Sequence, residues 1–311
     1  MMAAVEKAGE ARGLAGWVCR WGSFIRLSHT LFALPFALAA MAVAARDNRG
    51  WPGGRTAGLI LAAMVCARTC AMAFNRIVDR RLDALNPRTT GRHLPTGRIS
   101  LTGAILLCLG TGAGLVLCGF LLNPVCFCLS PVALAVICFY SLTKRFTDYT
   151  HLFLGLALAL APMGAWLAVK GAGISGAELA QMLVLAVAVV FWLAGFDIIY
   201  ALQDYDFDRT HGLRSLVVAW GPANALQAAF LAHLLMSALL LLFGFLCGFH
   251  YAYQIGWLII VGCLALEHWI ARRRGLGWIN VAFFRLNALV SAVFLIVTLA
   301  EVVFRGGFRP R

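Results

Sequence analysis

Charge is what this sequence has least of. Only 13% of its 311 residues are charged, while 62% are hydrophobic. A soluble domain rarely exceeds about half apolar residues, so water is excluded as the solvent for most of this chain. Negative charge is scarcer still, with 13 acidic residues against 26 basic ones. No Cys-x-x-Cys pair occurs among the ten cysteines, and nine of them (all but Cys19) fall inside apolar runs. That pattern argues against a zinc ribbon or a dithiol redox centre and for thiols acting as small hydrophobes. The seven histidines are scattered, with no His-Glu-x-x-His pair to hold zinc. Residues 1–26 carry charges and lack an apolar core segment, so no cleaved signal peptide is expected. No short internal repeat is visible.

What the chain does have is long apolar runs. Nine are long enough to span a bilayer, at roughly 17–25 residues each. They fall near 27–45, 56–79, 101–122, 124–142, 151–169, 179–203, 222–246, 249–270 and 279–304. Asn123-Pro124 separates the third and fourth, Gly171-Ala172-Gly173 ends the fifth, and Gly221-Pro222 opens the seventh. Pro35, Pro131 and Pro162 lie inside spans, where neighbouring helices can satisfy the freed carbonyls. The expected fold is therefore all-α: a multi-pass membrane protein forming one transmembrane domain over 1–311, with 1–26 as a cytoplasmic tail. Trp17 and Trp21 suggest an interfacial helix in that tail. Arg26, Ser28 and His29, at the mouth of the first span, read as interface anchors or ligand contacts.

Basic residues set the orientation. The tail and the loops after spans two, four, six and eight carry 16 Lys and Arg, whereas the other side carries 7. The richer side is expected to be cytoplasmic, with the C-terminus outside. The net charge of +13 then reflects topology and anionic lipid, and calls for no nucleic acid.

The second span runs into Asn75, Asp79 and Asp83 and should stop at Asn86-Pro87. Side chains four residues apart drift by only about 40° on a helix, so these three share one face over roughly 12 Å. Oxygen ligands in that array suit a hard divalent cation such as Mg²⁺. Arg80, Arg81, Arg88, Arg92 and Arg98 crowd the same end, and arginines beside metal-binding acids are the chemistry of a diphosphate site. A solvated, salt-bridged helix end explains the same residues. Arg76 is given no role.

A second acidic stretch tips that balance. Span six ends in Asp197, Tyr200, Asp204, Asp206 and Asp208. Asp197 and Asp204 lie within about 20° of each other on a helix, and Asp206 points away if the helix continues. Six of the 13 acids lie in these two stretches, and acids in or beside membrane spans are functional by default. Span four ends in Lys144 and Arg145, with Asp148 near enough to pair with either. Matching acidic ends on spans two and six suggest two related four-helix halves plus a ninth helix.

At these motifs the sequence resembles the UbiA superfamily of intramembrane prenyltransferases. Asn75, Asp79 and Asp83 match the pattern NxxxDxxxD, followed by Arg92-His93-Leu94-Pro95-Thr96-Gly97. Asp197, Tyr200, Ala201, Asp204 and Asp208 match DxxYAxxDxxxD. Members acting on 4-hydroxybenzoate are the most similar, and a branch that prenylates a dihydroxynaphthoate in a menaquinone route is similar too. Arg76 stands where many quinone-pathway members have Asp, which loosens the choice of acceptor but not of reaction. The resemblance implies an enzyme of a bacterial inner membrane whose active site faces the cytoplasm. Mg²⁺ would bridge Asn75, Asp79, Asp204 and Asp208 to a polyprenyl diphosphate, with Asp83 and Asp197 in support. Arg88, Arg92 and Arg145 would absorb charge as diphosphate departs, and Lys144 or Arg145 would hold the carboxylate of a hydroxylated aromatic acid. Tyr200 would join the substrate site, and the isoprenoid tail would lie in an apolar groove.

Two other classes compete. A secondary transporter also has repeated halves and polar residues in helices, but its acids are expected at the midplane. A CDP-alcohol phosphotransferase also spaces aspartates along membrane helices, but the DGxxAR pattern expected of it is absent.

Overall fold

The computed structural model describes residues 20–24, 30–273 and 276–304, with side chains from 32 to 273 and from 284 onward in the two long segments. Trp17, Arg26, Ser28, His29 and the C-terminal end beyond residue 304 lie outside the described residues. Among the described residues, all regular structure is helical. The long helices are α1 (Thr30–Ala44), α2 (Gly54–Leu85), α3 (Leu101–Leu122), α4 (Pro124–Phe139), α5 (Thr150–Lys170), α6 (Gly176–Ala201), α7 (Leu216–Cys247), α8 (Tyr251–Arg273) and α9 (Leu276–Val303). Eight segments are long and apolar enough to cross a membrane, and α1 supplies a shorter apolar stretch, Phe32–Ala44. The protein is thus a multi-pass all-α membrane protein.

Local chemistry fixes the helix ends. Asn123 caps α4 by accepting from the Cys126 N–H, with Pro124 at the first helical position. Its amide also donates to Leu167 O on α5, tying two loops together. Ser100 caps α3, and Ser175 with Glu178 forms a capping box on α6. Asn86 is extended because Pro87 follows it, and α2 stops there as expected. The α7 helix starts earlier than 222. Leu216–Trp220 forms a first turn, and Gly221, at φ 77°, kinks the chain before Pro222.

The helices pack mainly with their chain neighbours, from α2 round to α9. The short α1 rests on α5 and α9. The deepest packing joins α1 to the second half, where Phe36, Trp166, Trp192, Phe243 and Phe294 are fully buried. In contrast, α2 and α6 scarcely touch. Between the ends of these two helices lies a large cavity.

Two helices stop short of the spans expected for them, and both stops matter to that cavity. At the end of α4 the chain tightens into a 3₁₀ segment, Tyr140–Arg145. At the end of α6 it does so again at Leu202–Asp204, before a short helix, Tyr205–Thr210. The α-helix therefore does not run unbroken through the second acidic stretch. Even so, Asp204 and Asp208 are buried and Asp206 is exposed.

Candidate active site

The eleven side chains singled out in the sequence all line one cavity of about 280 Å³. They are Asn75, Asp79, Asp83, Arg88, Arg92, Lys144, Arg145, Asp197, Tyr200, Asp204 and Asp208. They arrive on α2 and its following loop, the 3₁₀ end of α4, and the end of α6. The remainder of the wall is apolar, with Phe32, Leu154, Leu158, Leu193, Phe196 and Phe284 among its residues. The cavity is therefore polar at the helix ends and hydrocarbon-lined further in.

Four of the five acids have their own arginine or lysine, and the fifth has a histidine. Asp79 accepts from Arg145 Nη2 at 2.9 Å and from the Asn75 amide, also at 2.9 Å. Asp83 pairs with Arg92 at 2.5 Å. Asp208 pairs with Lys144 at 3.3 Å. Asp204 accepts from Arg88 Nε at 2.8 Å and from Nη2 as well, a bidentate fork. Asp197 accepts from His151 Nδ1 at 2.7 Å. Lys144 and Arg145 are therefore taken by Asp208 and Asp79 rather than by Asp148. Among the described residues, no three acidic, His or Cys side chains converge as a ready-made metal site. The oxygens face one another across the cavity instead.

The Arg88 loop is built to reach across. Asn86 Oδ1 accepts from the Arg88 N–H at 2.9 Å, an Asx turn that aims the guanidinium back over the cavity. The Asn86 amide donates to Asp204 at 3.2 Å. Arg88 Nη1 donates to the Tyr200 hydroxyl at 2.9 Å, and its guanidinium lies 5.3 Å from the Tyr200 ring centre. Burial opposes the Arg88 charge, but Asp204 and Tyr200 outweigh it and raise its pKa. On the same loop, burial together with Arg98, Arg76 and Arg20 lowers the pKa of His93. Phe24 packs edge-on against that imidazole, so residues 20–24 lie beneath the loop.

Sequence reasoning missed several contributors. Arg76 is buried, with Nη1 3.8 Å from Asp83 Oδ2. The seven-residue spacing from Arg76 to Asp83, about 20° on a helix, was the available signal. Arg68 also lines the cavity, one helical repeat before Asn75. Asn86 was read only as a helix stop. His151 gave no signal, because its partner Asp197 lies 46 positions away on another helix.

The family model described as the UbiA prenyltransferase family matches residues 33–289, which hold both acidic motifs. The chain belongs to this family. A 4-hydroxybenzoate octaprenyltransferase of Methylobacillus flagellatus is 31% identical over 259 residues, covering 82% of this chain and 84% of the relative. The apo structure of a UbiA homolog from Aeropyrum pernix K1 matches with a TM-score of 0.79 at 32% identity, covering 88% of this chain and 98% of that one. A UbiA homolog from Archaeoglobus fulgidus, solved with DMAPP and Mg²⁺, shares the fold with a TM-score of 0.68 at 23% identity, over 91% of this chain and 99% of that one. This chain is thus a membrane-embedded prenyltransferase, and the transporter and phosphotransferase readings are set aside.

Proposed function

We propose that this UbiA-family enzyme moves a polyprenyl group from a polyprenyl diphosphate onto a hydroxylated aromatic acid of the 4-hydroxybenzoate type, in an Mg²⁺-dependent step of quinone biosynthesis. The observation that carries this reading is the division of the cavity. Five carboxylates and six cations line the cavity, most of them at the helix ends, and apolar side chains such as Leu154, Leu158 and Leu193 line the rest. A diphosphate fits the first part and a prenyl chain the second.

The residues present suit a divalent ion. Asn75, Asp79, Asp204 and Asp208 offer oxygen alone, the donor type Mg²⁺ prefers. One cation in excess of the acids cannot balance a diphosphate, which leaves charge for a metal to neutralise. When bound, Mg²⁺ would lower the cost of diphosphate departure by spreading its charge. The protein's own contribution is positional. Arg88 and Arg145 exchange a carboxylate partner for phosphate oxygens, which a planar guanidinium can grip in the same bidentate way. Arg92 stays on Asp83 and holds the loop. The apolar wall excludes water, so the allylic cation meets the aromatic ring before a water molecule can capture it. Lys144, which lines the cavity beside Asp208, is the candidate for the acceptor carboxylate.

Product mass spectrometry with purified protein, geranyl diphosphate and competing 4-hydroxybenzoate and dihydroxynaphthoate tests this. Prenylated 4-hydroxybenzoate that forms only with Mg²⁺ is expected. Prenylated naphthoate as the main product would shift the assignment to the menaquinone branch. No product from either acceptor would overturn the reading.

A further inference from the structure

Four of the five cavity acids are held by arginine or lysine. Asp197 is different, because among the described residues its one hydrogen-bond partner is His151. The two also occupy different depths. Asp197 lies seven residues, about 10 Å, further along the helix axis than Asp204, with Leu193, Phe196 and Leu154 on the same cavity wall. His151 stands behind it on α5, only 1% exposed in its side chain, while Asp197 keeps 21% exposure toward the cavity.

The packing that makes this pair is specific. Near it, α5 and α6 meet backbone to backbone, because Gly155 has no side chain. A Cβ there would lie 2.5 Å from the Val190 carbonyl oxygen. Gly155 is one turn beyond His151, so the same close approach brings the imidazole to 2.7 Å from the carboxylate. The start of α5 is pinned too, by the 2.6 Å bond between the Thr143 and Thr150 hydroxyls. The proton is assigned to Nδ1, the nitrogen that faces the carboxylate. The other nitrogen, Nε2, is buried and has no hydrogen-bond partner. Among the described residues, the one hydrogen bond of the imidazole is therefore the one to Asp197.

We propose that His151 is a positioning residue that holds the Asp197 carboxylate as the proton acceptor of the transfer reaction. The inference rests on the aromatic-acceptor reading above. One Asp197 oxygen is committed to His151 and the other faces the cavity. After the allylic carbon bonds to the ring, that free oxygen takes the hydrogen from the substituted ring carbon. The C–H bond breaks, an O–H bond forms on Asp197, and the C–H electron pair returns to the ring and restores aromaticity. The proton then leaves with the diphosphate. An arginine or lysine partner would hold the carboxylate more strongly but weaken it as a base. The imidazole orients it through a single hydrogen bond and leaves the other oxygen open to the cavity.

The experiment compares wild type with His151→Leu, His151→Met and His151→Asn, using geranyl diphosphate, Mg²⁺ and 4-hydroxybenzoate either protiated or deuterated at the ring carbons beside the hydroxyl. Leu and Met remove the donor, whereas the Asn amide replaces the Nδ1–H. In Leu and Met, kcat should fall about 10- to 100-fold, as misplacement of a reacting group by an ångström does, with KM for geranyl diphosphate unchanged. A primary isotope effect larger than that of wild type should appear with them. Asn should return both quantities toward wild type. Met preserves the bulk if Leu disturbs folding. A lower kcat with no larger isotope effect would reduce His151 to a packing role and overturn the proposal, as would unchanged kcat in Leu and Met. Wild type that prenylates no aromatic acid would overturn the functional reading and this inference together. Product from wild type with an unmoved isotope effect would overturn this inference alone.

Discussion

Arg88 and Asp204 close the active-site end of the protein across 116 positions of sequence, with Arg88 Nε 2.8 Å from Asp204 Oδ1 and a second parallel bond from Nη2. The loop after α2 is thereby latched to the end of α6. Arg88→Ala should lower kcat/KM for prenyl diphosphate by roughly tenfold to a hundredfold, the effect of a lost charge-assisted bond of about 1.5–3 kcal/mol. Arg88→Lys should recover only part of this, because an ammonium cannot make the fork. Steady-state kinetics with varied geranyl diphosphate checks both.

The acids should differ in a definite order. Asp79→Asn and Asp204→Asn are expected to abolish nearly all turnover while the protein still inserts, since each removes one of the oxygens that face the diphosphate end. Asp206→Asn should be mild, because Asp206 is exposed. Chelation with EDTA should silence the wild type, and added Mg²⁺ should restore it. Turnover of Asp79→Asn within a few-fold of wild type would remove that residue from the metal assignment.

Gly155→Ala should force α5 away from α6, since the new methyl would meet the Val190 backbone rather than a movable side chain. Overpacking of this kind costs about 1–3 kcal/mol. Thermal unfolding in detergent should show the loss. Turnover should fall as well, because His151 and Asp197 are set by the same approach. A variant as stable and active as wild type would show that the contact is not tight.

Sidedness can be read with single cysteines in a Cys-free background. Thr90 lies on the loop after α2 and Ala172 on the loop after α5, and both are exposed. Asp47, Lys170 and Glu178 meet at the Ala172 end, away from the cavity. An impermeant thiol reagent should label Ala172→Cys in intact cells, and Thr90→Cys only after permeabilisation. The bias of 16 basic residues to 7 motivates this order, and labelling of Thr90→Cys from outside would reverse it.

Much of this site was legible in the sequence because it rests on helical periodicity. The spacing of Asn75, Asp79 and Asp83 survives intact, since α2 runs unbroken to Leu85. The end of α6 was harder. Its 3₁₀ turn at Leu202–Asp204 has no proline or glycine to announce it, yet Asp206 still points outward. Periodicity gives a face, not a partner. Nothing along the chain says that Arg145 meets Asp79 rather than Asp148, or that Lys144 meets Asp208. Those pairings follow from how four helix ends converge. The buried Arg76 was passed over because an arginine within an apolar run looks anomalous until Asp83 is placed beside it.

The scant packing between α2 and α6 has a mechanical meaning. Elsewhere the helices are joined by interlocked side chains, which resist separation steeply. Along this one seam the join is made mostly of ions and one amide, and such a join can be undone and remade as a charged guest arrives. The bundle is therefore compliant at the seam where the charged head of the donor would enter, and stiff where α5 and α6 meet backbone to backbone at Gly155.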